Sequence, residues 1–193
     1  MKKIGLTGGI GVGKTFVSNV FSKLGIPVFL ADIQAKKCMS ESDDLKKAIA
    51  INFGNNIYKE GILQKDILAN IVFNDAEKLT QLNKLVHPIV QNKFEIWQKE
   101  QTAPFVLKEA AILFESNAHI GLDGVICVTA PLETRIKRVI QRDNCTKESV
   151  LKRIENQMPQ FEKEQLSDFV IVNDEDKKLL PQILAICKKI NAL

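Results

Sequence analysis

Residues 8 to 15, Gly8-Gly9-Ile10-Gly11-Val12-Gly13-Lys14-Thr15, constrain the fold more than any other stretch of this 193-residue chain. They fit G-x-x-x-x-G-K-[ST], with Gly8 and Gly13 as the fixed glycines, Lys14 as the cation and Thr15 as the hydroxyl. Such a stretch wraps backbone N–H groups around phosphate oxygens. Glycine at 8, 9, 11 and 13 lets the backbone turn inward where side chains would block the approach. The pattern has this meaning only between a strand and a helix. Upstream, Lys3-Ile4-Gly5-Leu6-Thr7 is short and partly apolar, as suits the first strand of a parallel sheet. Downstream, Val17, Val20, Phe21 and Leu24 fall at i, i+3, i+4 and i+7, one apolar helix face that stops near Gly25. The start of that helix turns its partial positive charge toward the phosphates. A glycine-rich turn beside an accidental Lys-Thr pair would not bring both flanks with it.

The length suits one well-buried α/β domain with a small insertion. Hydrophobic residues at 45% and charged residues at 26% exclude a disordered chain. The formal charge of +4 is compatible with anionic substrates, and no Lys/Arg block is interleaved with aromatics, so nucleic acid is not an expected partner. Cys38, Cys127, Cys145 and Cys187 form no C-x-x-C pair and have no histidine cluster nearby, which reads as structural or idle thiols in a reducing cytosol. Glycines interrupt the N-terminus where a signal peptide needs an apolar run, and no stretch is long and apolar enough to span a membrane. A cytoplasmic protein is expected; oligomeric state is open.

Pro27-Val28-Phe29-Leu30 reads as a second strand ending at Ala31-Asp32. A carboxylate just past a parallel strand sits at the edge where open α/β sheets bind ligands. Asp32 is therefore either the group that takes an acceptor hydroxyl's proton or the N-cap of the next helix. Residues 33–101 are mostly helical, broken by Gly54 and by Lys59-Glu60-Gly61. That is far more than the roughly dozen residues a crossover needs, which predicts an inserted substrate-binding region. Ile67, Leu68, Ile71 and Val72 form one core stripe, and Leu79, Leu82, Leu85 and Val86 another. His87-Pro88 predicts a bend, and Phe94 and Trp97 read as packing residues.

Phe105-Val106-Leu107-Lys108-Glu109 returns to strand character and runs into a loop ending at Glu115. Glu109 and Glu115 are each available to hold magnesium through water, or to face a basic neighbour. Residues 124–129 read as a buried strand, with Thr129 a candidate cap and Pro131 opening a helix. On it Arg135, Arg138 and Arg142 share a face, which either meets an anion or is a solvated face partnered by Glu133 and Asp143. The polar segment 143–165, broken at Met158-Pro159, reads as a mobile lid or an exposed helical hairpin. A last strand over 168–173 and a helix over 176–191 close the chain.

The loop specifies a nucleoside triphosphate without saying what is done with it. No D-x-x-G or N-K-x-D pair marks a regulatory GTPase, the nearest stretch to the second being Asn173-Asp174-Glu175-Asp176. Short length, a helical insertion and a late arginine helix suit a small-molecule kinase. The remaining alternatives are a kinase of another hydroxylated or nucleotide acceptor, and an ATP-binding regulatory module that transfers nothing.

The chain closely resembles the dephospho-coenzyme A kinases. The resemblance begins with residues 5–15 and continues through Ala31-Asp32, Leu85-Val86-His87-Pro88 and Leu113-Phe114-Glu115. It resumes at Arg138, Gln141-Arg142-Asp143, Gln157 and Ser167-Asp168, and closes at Asn173. It implies a P-loop α/β fold of three layers like that of nucleoside monophosphate kinases: a mostly parallel central sheet, the inserted helical region 33–101 and a helical lid over 143–165. It also implies transfer of the ATP γ-phosphate, with magnesium, to the ribose 3′-hydroxyl of dephospho-coenzyme A. By position, Asp32 would be the catalytic carboxylate. Gly9, Gly11, Val12, Gly13, Lys14 and Thr15 would hold the phosphates, with Thr15 and Glu109 serving magnesium. Arg138 and Arg142 would close on ATP, Asn173 would lie near the adenine, and His87 would face the coenzyme A portion. Lys36 and Lys65 stand where the family commonly has arginine, Glu109 where it commonly has aspartate, and Ala111-Ile112 where it often has Pro-Leu. A lysine keeps the charge without the bidentate fork.

Overall fold

β1 (Lys2–Thr7) carries Ile4, Leu6 and Thr7, all with no exposed surface, because it has a neighbour on each side and helices on both faces. The computed structural model describes residues 1–73 and 75–192. After β1 come α1 (Lys14–Lys23), β2 (Val28–Leu30), α2 (Ala31–Glu41), α3 (Asp43–Phe53) and the short strands β3 (Tyr58–Lys59) and β4 (Ile62–Leu63). α4 (Lys65–Phe73), α5 (Ala76–Lys99), β5 (Phe105–Glu109) and β6 (Gly124–Thr129) follow. The chain ends with α6 (Leu132–Asp143), α7 (Lys147–Glu155), α8 (Gln160–Gln165), β7 (Phe169–Val172) and α9 (Leu179–Ala192). Among the described residues β2-β5-β1-β6-β7 form one parallel sheet. Its register sets Leu6 beside Glu109 and Ile126, and Leu30 beside Glu109. The C-terminal ends of the strands therefore share one edge, the one from which residues 8–13 leave β1.

Parallel strands are covered on both faces, so they read as near-continuous apolar runs. β5 and β6 take the limits expected from sequence for that reason. Ile4, Leu6, Phe105, Leu107, Ile126, Val128 and Ile171 from the strands pack with Val17 and Phe21 of α1 and Ile183, Ile186 and Ile190 of α9. Val12, inside the glycine stretch, is fully buried in this same core. Burying a valine completely contributes about 1.5–3 kcal/mol, so the loop is anchored by its own side chain. A second cluster, Ile136 and Val139 of α6 with Val150 of α7, receives Ile10.

Two compact units divide the chain: Met1–Leu30 with Glu100–Leu193, and Ala31–Lys99. Within the second, Ser42 caps α3 by accepting from the Leu45 N–H, and Asp43 and Asp44 in the first turn suit the helix dipole. The turn expected at Lys59-Glu60-Gly61 is present, with Glu60 and Gly61 both at positive φ, and it closes an antiparallel hairpin of two-residue strands in which Lys59 belongs to β3. Strands that short leave no periodicity to read. The bend expected at His87-Pro88 does not end the helix: α5 continues through Pro88. Pro88 is exposed and forfeits one ladder bond. Leu82, Val86, Val90 and Phe94, buried at steps of four, hold the helix together on either side of it. Asp75 starts α5, accepting from the N–H groups of Glu77 and Lys78.

Candidate active site

α1 begins at Lys14 with Gly13 as its N-cap, and no side chain caps it. The first four N–H groups of a helix have no partner within it, so this end is built to receive an anion. Gly13 reaches the turn through φ of 88°, a left-handed value that glycine tolerates. Lys14 arches back so that its Nζ donates to the Gly8 carbonyl at 2.8 Å, and Thr15 lies exposed in the first turn.

The outer side of the loop is held by other elements. The Gly9 N–H donates to Gln160 Oε1 and the Ile10 N–H to Gln157 Oε1, each at 2.9 Å. The Ile10 carbonyl accepts from Arg135 Nε at 3.0 Å, and the Val12 carbonyl from Asn173 Nδ2 at 2.8 Å and more weakly from Arg138. These contacts give the glycines a second reason to exist beyond room for phosphate. A Cβ on Gly9 would strike the Arg135 guanidinium, on Gly11 the Arg135 carbonyl, and on Gly13 the Asn173 amide. Gly9, expected among the ATP-contacting positions, has its N–H committed to Gln160.

The three arginines of α6, expected to meet an anion or carboxylates, turn to different partners. Arg135 is 5% exposed and lies beneath the loop; burial lowers its pKa from the ordinary arginine value. Arg138 reaches the Asn173 carbonyl at 3.2 Å and the Glu175 carboxylate at 3.1 Å. Arg142 turns to Asp143, at 2.7 and 3.0 Å, where Arg153 of α7 adds a third bond at 2.6 Å. Hydrogen bonds from Arg142 and then Arg153 pull the Asp143 carboxyl well below the usual carboxylate range. Glu133, the other expected partner, pairs instead with Lys147 at 3.6 Å. α6 starts at Leu132 with Pro131 as N-cap, so Pro131 stands one position earlier than expected, and Thr129 closes β6.

Glu109 ends β5, 8% exposed, at the loop's edge of the sheet. Glu115 takes the structural alternative left open for it: it pairs at 2.6 Å with Lys163, which has no exposed surface, and accepts from the Met158 N–H at 3.0 Å. Lys163 also donates to the Ala111 carbonyl at 2.8 Å. Among the described residues no group of three or more His, Cys, Asp or Glu is placed to hold a metal. The two residues expected to serve magnesium offer hard oxygens, the Thr15 hydroxyl and the Glu109 carboxylate. They fit a magnesium ion that takes the rest of its shell from phosphate and water. Cys127 lies on β6 with its thiol beside Gln160, and burial pushes its pKa up to about 11, so it stays neutral.

Asp32, Lys36, Lys65 and His87 lie in the second unit. Asp32 is the second residue of α2, inside the first turn and so not the N-cap, two positions beyond the end of β2. Lys36 follows one turn later on α2, Lys65 opens α4, and both are exposed; His87 is half-buried in α5.

Sequence reasoning missed what Gln160 and Lys163 do. Both fall in a polar, charge-rich stretch where a lysine reads as solvated and a glutamine carries no pattern. Gln157 was visible only through the family resemblance.

A family model described as dephospho-CoA kinase matches residues 2–178. The chain belongs to the dephospho-CoA kinase family. It is similar to a dephospho-CoA kinase of Bacteroides fragilis, 37% identical over 183 residues that cover 94% of this chain and 89% of the relative. Among solved structures, a Thermus thermophilus protein superposes with a TM-score of 0.84 at 32% identity, covering 99% of this chain and 96% of the other. The dephospho-CoA kinase from Campylobacter jejuni does so at 0.67 and 29%, covering 100% and 98%. The doubly covered parallel sheet with its uncapped α1 is thus the P-loop kinase fold of that family.

Proposed function

We propose that this chain transfers the γ-phosphoryl group of ATP to the ribose 3′-hydroxyl of dephospho-coenzyme A, giving coenzyme A and ADP. Family membership across nearly the whole chain carries this reading, and the open N-terminus of α1 supports it. Phosphoryl transfer asks the protein mainly to position groups and offset charge. Amides of residues 11–15 and Lys14 would hold the β- and γ-phosphates, and Arg138 would approach from the Asn173 side, leaving its exposed pairing with Glu175. Asn173 would reach the adenine with whatever its Val12 bond leaves free, and Arg142 would have to leave Asp143 to touch ATP. Magnesium, held through Thr15 and Glu109, would neutralise charge shared by the two terminal phosphates.

Asp32 would accept the proton of the 3′-hydroxyl as that oxygen bonds to the γ-phosphorus and the bond to the β–γ bridging oxygen breaks, the electron pair leaving with ADP. Lys36, Lys65 and His87 would bind the acceptor, the lysines as point charges for its pyrophosphate. The lid would draw on α7 and its flanks, because residues 157–163 are tied to the loop and to Glu115. No described helix is long and apolar enough to cross a membrane, and the four cysteines are free, which supports a cytoplasmic setting.

The test is ADP release from Mg-ATP with dephospho-coenzyme A, adenylate or shikimate as acceptor. Strong stimulation by dephospho-coenzyme A alone is expected; equal stimulation by another acceptor, or none by any, contradicts the assignment.

A further inference from the structure

We infer that Gln160 and Gln157 are positioning residues that set the phosphate loop for ATP before ATP arrives. The inference rests on the reading that the loop binds ATP. Each glutamine takes one of two successive loop N–H groups, Gly9 and Ile10, at 2.9 Å. Gln160 uses both ends of its amide, since Nε2 donates to the Val128 carbonyl at 3.2 Å and so staples the loop to the end of β6. With Arg135 on the Ile10 carbonyl and Lys14 on the Gly8 carbonyl, the peptide groups of residues 8–10 are fixed by side chains. The next amide, that of Val12, turns back to the Gly9 carbonyl at 3.4 Å, so the first half of the loop is closed on itself.

The two glutamines are themselves held. They stand three positions apart across the Met158-Pro159 break, where the Met158 N–H donates to Glu115. One turn into α8, Lys163 is locked to Glu115 and to the Ala111 carbonyl. A buried ion pair adds little net stability but fixes register. Here it fixes how far α8 reaches toward the loop.

The residue type is informative. A carboxylate would accept from the same N–H groups, yet it would place a negative charge beside bound phosphates. A glutamine accepts without charge. A loop deprived of either acceptor must turn a partly buried N–H elsewhere, and ATP must then reorder it on binding.

The test uses the full chain with Gln160→Met and Gln157→Met, which keep volume and remove the acceptor, alongside Gln157→Glu. ATP affinity by calorimetry, melting temperature, and KM for each substrate are measured. The expected result is an ATP Kd and KM raised about ten-fold in the methionine variants, with KM for dephospho-coenzyme A within about two-fold of wild type. Gln157→Glu regains most of its ATP affinity at about 0.5 M salt, where charge repulsion is screened, and Gln157→Met does not. A structural role alone would lower the melting temperature and kcat and leave KM for ATP unchanged, which overturns the inference, as does wild-type ATP affinity in both methionine variants. Failure of the wild-type chain to bind ATP would instead remove the proposed function.

Discussion

Gly13 and Gly25 share a left-handed backbone, with φ of 88° and 82°, but they differ in what surrounds them. A Cβ at Gly25 meets nothing within 4 Å, whereas one at Gly13 runs into the Asn173 amide that supports the Val12 carbonyl. Gly25→Ala is therefore expected to cost only the left-handed strain, about 1–2 kcal/mol, with ATP affinity unchanged. Gly13→Ala should lower the melting temperature further and weaken ATP binding by at least about ten-fold. Thermal melts and calorimetry on the pair separate backbone strain from displacement of the loop's support. From sequence the two glycines differ only by the motif around the first. That Gly13 also makes room for a side chain of the last strand's end depends on residues 160 positions apart in sequence, a contact no local pattern contains.

At the junction of α6 and α7, the left-handed Asn144 ends one helix and Thr146 caps the next. Asp143 ties them through Arg142 and Arg153. Its carboxyl is held below its ordinary value by those bonds. The folded state thus binds the proton more weakly than the unfolded chain, and the contribution is present above the ordinary value of 3.8 and lost as pH falls below it. The partners are largely solvated, so Asp143→Asn is expected to cost only about 0.2–1 kcal/mol. Its sharper signature is faster amide exchange in α7 at neutral pH, with wild-type exchange approaching the variant's in acid. Equal exchange in the two proteins at neutral pH would show that the ionic tie does not hold α7.

Elements differed in how readily they could be read. β5 and β6 were legible because buried parallel strands are apolar runs bounded by polar turns. The helix through Pro88 was legible as a helical stretch carrying a bend, whereas the tertiary packing that offsets the proline's local cost was not. The roles of Glu115 and Lys163 were hidden for a related reason: each charge looks solvated alone, and only the fold pairs them.

For the whole molecule, the phosphate loop with its supports belongs to one unit, and Asp32, Lys36, Lys65 and His87 belong to the other. The first unit's chemistry is legible twice, in the motif and in its geometry. The second's rests on family resemblance and on where Asp32 stands in the chain. The proposed reaction turns on Asp32 taking the proton of the 3′-hydroxyl while the loop holds ATP. Single-turnover transfer from labelled ATP to dephospho-coenzyme A, with the labelled position assigned by NMR and ATP affinity measured separately, tests it in wild type and Asp32→Asn. Label is expected on the ribose 3′-oxygen alone, and in the variant a transfer step slowed by about two or more orders of magnitude with ATP affinity kept. Label elsewhere, or near-normal transfer in the variant, would contradict it.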